Sequence, residues 1–132
     1  MKVMKFGGSS VKDAEHIRNV VTIIKNESEK TKTAVVLSAM KGITDSLINC
    51  AELAEKGDET YLTVLEEIKT RETETFIDLI GSDDSDNPEA AALSSLKGML
   101  QDITEILLGI KMVKECSERT LDLIVSFGER MN

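Results

Sequence analysis

Apolar positions in the first forty residues form two short runs separated by one amphipathic stretch. Lys2 to Phe6 is short, apolar-rich and stops at Gly7-Gly8, which reads as a strand. Ser9 or Ser10 can cap a helix. Val11, Ala14, Ile17, Val20, Val21 and Ile24 then recur at spacings of three and four, which predicts one apolar helix face running to about Asn26. Asn26 to Thr33 is polar and reads as a turn. Thr33 to Leu37 is apolar and partly β-branched, the pattern of a strand buried on both faces of a parallel sheet. Strand, helix and strand in this space form a βαβ unit, and a right-handed connection brings both strand ends to one edge of the sheet. Gly7-Gly8-Ser9 and Ser38-Ala39-Met40-Lys41-Gly42 each follow a strand end and are expected to be neighbours. That edge is where open α/β sheets bind ligands.

Beyond Gly42 the pattern is helical. Thr44 or Asp45 can cap a helix to about Lys56, and Gly57-Asp58 breaks it. A long helix from Glu59 to Ile80 offers Leu62, Leu65, Ile68, Phe76, Leu79 and Ile80 for burial, with Glu66, Glu67, Lys69, Arg71, Glu72 and Glu74 as its wet face. Gly81 to Pro88 reads as a loop, with Pro88 in the first turn of the next helix. Leu93, Leu96, Leu100, Ile103, Leu107 and Ile110 form a seam for which the Glu59–Ile80 helix is the expected partner. A last helix runs from about Ser117 towards Phe127, where Gly128 interrupts it. Two strands alone do not make a stable parallel sheet. The expectation is therefore an α/β fold with a βαβ start and a mainly helical remainder, resembling the first part of a larger domain.

Composition narrows the function. The chain has 132 residues, 41% of them apolar and 30% charged, enough for one domain with a real core. Sixteen basic against 24 acidic residues leave a net charge of −8, which argues against nucleic acid or an anionic membrane as partner. A small anionic ligand at a local site stays possible. No apolar run approaches the ~18 residues of a membrane span, and no apolar leader stretch precedes Phe6-Gly7-Gly8. Cys50 and Cys116 match no metal spacing and read as small core residues in a reduced, cytoplasmic setting. His16 has no evident acidic or cysteine partner and reads as a surface or packing residue. Asp83 to Asn87 lacks the glycine and glutamate spacing of a calcium loop, so no metal ligand is assigned.

Lys5-Phe6-Gly7-Gly8-Ser9-Ser10 is the segment most suggestive of chemistry. Two glycines allow close approach of the backbone, a following helix turns free N–H groups toward it, and a lysine adds charge. The spacing is neither G-x-x-x-x-G-K-[ST] nor G-x-G-x-x-G. On pattern alone, a phosphate cradle and an ordinary strand-to-helix turn with a solvated lysine both remain open.

Three segments add a resemblance. Val3-Met4-Lys5-Phe6-Gly7-Gly8-Ser9-Ser10-Val11 resembles the opening of aspartokinases, members of the amino acid kinase family, which usually carry Thr where Ser9 stands. Val35-Val36-Leu37-Ser38-Ala39-Met40-Lys41-Gly42-Ile43-Thr44-Asp45 resembles the family's second motif, and Ser126-Phe127-Gly128-Glu129-Arg130 its third. The resemblance implies ATP-dependent phosphorylation of the side-chain carboxylate of L-aspartate to 4-phospho-L-aspartate, a step toward lysine, threonine and methionine, with ATP accompanied by magnesium. It implies that Lys5 is catalytic, stabilising the transferring phosphoryl group together with the N–H groups of Gly7, Gly8 and Ser9. Ser38 and Thr44 would contact aspartate, and Glu129 would pair with its ammonium. Arg130 matches the motif but is not assigned to the substrate carboxylate. The family's nucleotide-base pocket, its remaining substrate arginine and its ACT domains belong to later segments, so this chain alone is not expected to turn over. A homo-oligomer is expected, with no nucleic acid or membrane partner. The rival readings are a non-catalytic ligand-binding or partner subunit and a helical interaction protein with a merely structural glycine turn.

Overall fold

The computed structural model describes residues 1–80 and 88–132. The acidic segment 83–87, expected as a solvated loop, lies outside them. β1 (Lys2–Phe6) and β2 (Thr33–Leu37) pair in parallel, with Lys2 opposite Thr33 and Phe6 opposite Leu37. Side chains alternate across a strand, so Met4, Phe6, Val35 and Leu37 share one face, which is partly buried. Val3, Lys5 and Val36 share the other. Val3 and Val36 remain 64% and 49% exposed, which corrects the expectation of strands covered on both faces. Among the described residues nothing covers this second face.

Gly8–Val11 is a single 3-10 turn, and α1 (Ala14–Ser28) begins only after it. Asp13, extended at φ −154°, caps α1 by accepting from the His16 N–H at 2.8 Å. Neither Ser9 nor Ser10 caps the helix, because Asp13, three residues beyond Ser10, supplies the acceptor. The same carboxylate lies 2.7 Å from the His16 imidazole Nδ1, so His16 does have an acidic partner. Hydrogen bonds from the His16 backbone and ring hold the Asp13 carboxyl below its ordinary range. Val11, Ala14 and Val20 are buried, whereas Val21, expected on the apolar face, is exposed.

The core lies among the remaining helices. α2 (Ile43–Glu55) starts behind Gly42, whose φ of +88° is the left-handed region that favours glycine. Thr44 and Asp45 lie inside its first turn instead of capping it. Ile43, Leu47, Cys50, Ala51 and Ala54 of α2 pack with Tyr61, Leu65 and Ile68 of α3 (Tyr61–Ile80). Leu62 and Ile80 are exposed, because the stripe through Leu65 and Ile68 is the one that meets α2. All six seam residues of α4 (Pro88–Val113) are buried. Their seam packs more extensively on α2 than on α3, the expected partner.

α5 (Glu118–Arg130) is capped by Ser117 and buries Ile124 and Phe127. Gly128 does not interrupt it. A Cβ there would stand 3.1 Å from the Ala39 Cβ and 3.4 Å from Ile43 and Leu47, so glycine is what lets α5 approach α2 closely. That contact offsets the roughly 1 kcal/mol that glycine costs within a helix. Cys50 is fully buried and Cys116 only partly. No helix among the described residues is long and apolar enough to cross a membrane.

Candidate functional site

The two turns at the strand ends are interlocked. The Ser38 N–H donates to the Phe6 carbonyl at 3.1 Å, continuing the β ladder, and the Lys41 N–H donates to the Gly8 carbonyl at 3.2 Å. Gly8 is required by packing: a Cβ there would lie 3.0 Å from the Ala39 carbonyl oxygen and 3.4 Å from the Lys41 backbone. Gly7 differs. Its backbone is extended (φ −77°, ψ 171°) and, among the described residues, nothing lies within 4 Å of where a Cβ would stand. Neither conformation nor packing demands glycine at position 7. Ser9 is exposed beside it.

Lys5 is exposed on the open face, and Lys41 on the second turn is exposed as well. Neither forms an ion pair among the described residues. Two free ammonium groups at the strand ends of a chain with net charge −8 favour an anion there. The helix-dipole part of the expected cradle is corrected. The segment after Gly7 forms one 3-10 turn, and the N-terminus of α1 is met by its own Asp13.

The third motif reaches the second through α5. Gly128 rests on Ala39 and Ile43, and the Asn132 side-chain amide donates to the Ser38 carbonyl at 2.5 Å. Ser38, at the start of the second turn, and Thr44, in the first turn of α2, are half-buried. Glu129, next to Gly128, is exposed and forms no ion pair among the described residues. The Arg130 guanidinium lies 4.3 Å over the Phe127 ring, a cation–π contact.

Two α3 residues escape the sequence reading, which set both on a wet face. Arg71 is half-buried. Its Nη1 donates to the Lys41 carbonyl at 2.5 Å and its Nη2 to the Lys12 carbonyl at 2.8 Å. Glu72 is only 4% exposed, and its Oε1 has no partner among the described residues. Burial pushes its carboxyl up to about 7, against an opposing pull from Arg71. The signal for Glu72 was present, since it extends the stripe Tyr61, Leu65, Ile68 at helical spacing. Glu72 lines a cavity of about 630 Å³, together with Ile17, Met40, Phe76, Leu96 and Met131. No group of three or more His, Cys, Asp or Glu among the described residues could hold a metal ion.

A parallel strand pair ending in two interlocked turns, with helices stacked behind, carries the family's three motifs in order. The amino acid kinase family profile matches residues 1–132, and the chain belongs to that family. Its relatives are aspartokinases, as the three motifs indicated. The chain is 33% identical over 127 residues to the chloroplastic bifunctional aspartokinase/homoserine dehydrogenase 2 of Arabidopsis thaliana, a match covering 96% of this chain and 13% of that protein. It is 34% identical to the chloroplastic aspartokinase 2 of the same plant, covering 98% of this chain and 22% of that protein. E. coli aspartokinase III, solved with aspartate and ADP, superposes with a TM-score of 0.79 at 26% identity, over 99% of this chain and 26% of that one. The chain thus spans about a quarter or less of the length of these proteins. The α/β class with a βαβ start and a helical remainder holds.

Proposed function

We propose that the chain is the N-terminal part, residues 1–132, of an amino acid kinase domain and carries the phosphate-binding turn and part of the aspartate surface of an aspartokinase. The reaction joins an oxygen of the aspartate side-chain carboxylate to the γ-phosphorus of ATP, while the bond to ADP breaks. Two anions must meet, so charge neutralisation and alignment carry the chemistry. Lys5 stabilises the equatorial oxygens of the transferring group, and the N–H groups of Gly7, Gly8 and Ser9 assist it. Ser38 and Thr44 hydrogen-bond the aspartate, and Glu129 pairs with its ammonium. Magnesium would shield phosphate charge when bound. The turns offer lysines, glycines and hydroxyls, a set that does not fit a metal cage, and no step is routed through the ion. The same reading includes a cytoplasmic setting, the lysine and threonine pathways, self-association of the chain and no turnover by these 132 residues alone. The two free cysteines and the apolar Val3 and Val36 on the open face support the first and third of these.

The observation that carries the reading is Gly7. A glycine the fold itself does not need leaves room for a ligand to touch main-chain N–H groups. The test is thermal melting with ATP–magnesium and with aspartate. Gly7→Ala should keep or raise stability by about 0.4–1 kcal/mol and lose the ATP shift, as should Lys5→Ala. Gly8→Ala, by contrast, should lose stability itself. Glu129→Ala should lose the aspartate shift. Undiminished ATP binding by Gly7→Ala would refute the assignment, and no shift with either ligand would favour a helical interaction protein. Phosphorylated aspartate from the chain alone would reject the statement on turnover.

A further inference from the structure

Arg71 lies on α3, outside all three motifs and thirty residues beyond Lys41, yet it bridges the second motif and the residue that follows the first. Its two terminal nitrogens go to two different segments. Nη1 meets the carbonyl of Lys41, on the second turn, and Nη2 meets the carbonyl of Lys12, directly after the 3-10 turn behind Gly7. A planar guanidinium offers two donors at a fixed angle, so it sets the separation of the two carbonyls it bridges. The turns also meet directly, through Gly8 packed on the Ala39 carbonyl and the Lys41 backbone. Among backbone hydrogen bonds, Lys41 N–H to Gly8 is the contact between the turns themselves, and at 3.2 Å it is a long one. A Cβ at the neighbouring Gly42 would stand 3.6 Å from Nη1, an ordinary contact, so that glycine answers to its φ of +88° and not to the arginine.

We infer that Arg71 is a positioning residue, which clamps the phosphate turn to the substrate turn and thereby fixes the distance between the two reactants. The consequence for catalysis rests on the aspartokinase reading above, whereas the clamp itself does not. Reactants held about 1 Å out of place lose roughly a hundredfold in rate, so a clamp between the halves of a site controls reactivity without touching either ligand.

The test is amide hydrogen exchange on the full 132-residue chain, comparing wild type with Arg71→Met and Arg71→Lys. Arg71→Met should speed exchange at the Lys41 and Ser10 amides tenfold or more, while Leu100, Ile103 and Leu107 in α4 keep their wild-type protection. Arg71→Lys keeps the charge but loses the fork, and should fall between the two. Exchange at Lys41 unchanged in Arg71→Met overturns the clamp, and so does equal acceleration throughout α4, which would mean general destabilisation. A second arm measures ATP–magnesium and aspartate binding. Loss of both affinities in Arg71→Met, with the selective exchange pattern, supports the positioning role. Unchanged affinity for both ligands in a variant with loosened turns overturns that role. Absence of binding by the wild type removes the aspartokinase reading, and the exchange data still decide the clamp.

Discussion

Glu72 makes the stability of this chain depend on pH in a direction opposite to most carboxylates. Its proton is held up to about 7 in the fold, against an ordinary 4.5, chiefly because burial disfavours the anion. Below about 4.5 the group is neutral in both states and its contribution is fully present. Between 4.5 and 7 the unfolded chain has released the proton and the folded chain has not, so stability falls as pH rises. Above 7 both states are ionised and the loss is complete. At 1.36 kcal/mol per pH unit the penalty totals about 3 kcal/mol. The charged groups nearby are Arg71 on the same helix and Arg18 of α1, which lines the same cavity and is held by Asp78 at 2.8 Å. Glu72→Gln removes the ionisation and nearly preserves the shape. Urea unfolding followed by circular dichroism from pH 5 to pH 8 should show the variant gaining about 2–3 kcal/mol on the wild type. Other carboxylates titrate in both proteins and cancel in the difference. Parallel profiles across that range would show that water or rearrangement satisfies the acid, and would refute the reasoning.

Packing and burial set two more outcomes. Gly128→Ala drives a methyl against Ala39, Ile43 and Leu47 and should cost about 1–3 kcal/mol in a urea melt, in spite of alanine's better helix propensity. A neutral or stabilised variant would show that α5 can withdraw from α2 without penalty. Cys50 is fully buried and its thiol is pushed up to about 11, while Cys116 is partly accessible. A disulfide reagent at pH 8 should therefore label one thiol in the folded chain and two after unfolding. Rapid labelling of both in the native state would contradict the packing of α2 on α3.

Much of the architecture was legible because period and length carry it. Both strands, the three- and four-residue spacing of α1 and the six-residue seam of α4 are properties of single segments; the strands and the seam stand where the pattern put them, while α1 starts later and leaves Val21 exposed. The adjacency of the two glycine turns was also legible, from the geometry of a βαβ unit alone. What failed depended on the neighbour. Gly128 has a breaker's composition, but it sits where α5 meets Ala39, and close approach outweighs propensity. Val36 reads as interior within its apolar run, yet it is 49% exposed, because burial on both faces depends on what packs against the sheet and not on the strand itself. Arg71 is one charge among many on α3. Its role comes from two carbonyls thirty and 59 residues away, and no local pattern records them.

The bond from the Asn132 amide to the Ser38 carbonyl joins residues 94 positions apart. A ribosome adding roughly 5–20 residues per second makes Ser38 about 5–20 s before its partner exists. Until α5 is made, Ala39, Ile43 and Leu47 lack the surface that covers them, so the nascent chain exposes an oily patch beside its two glycine turns. Vectorial synthesis thus delivers the glycine loops well before the helix that locks them.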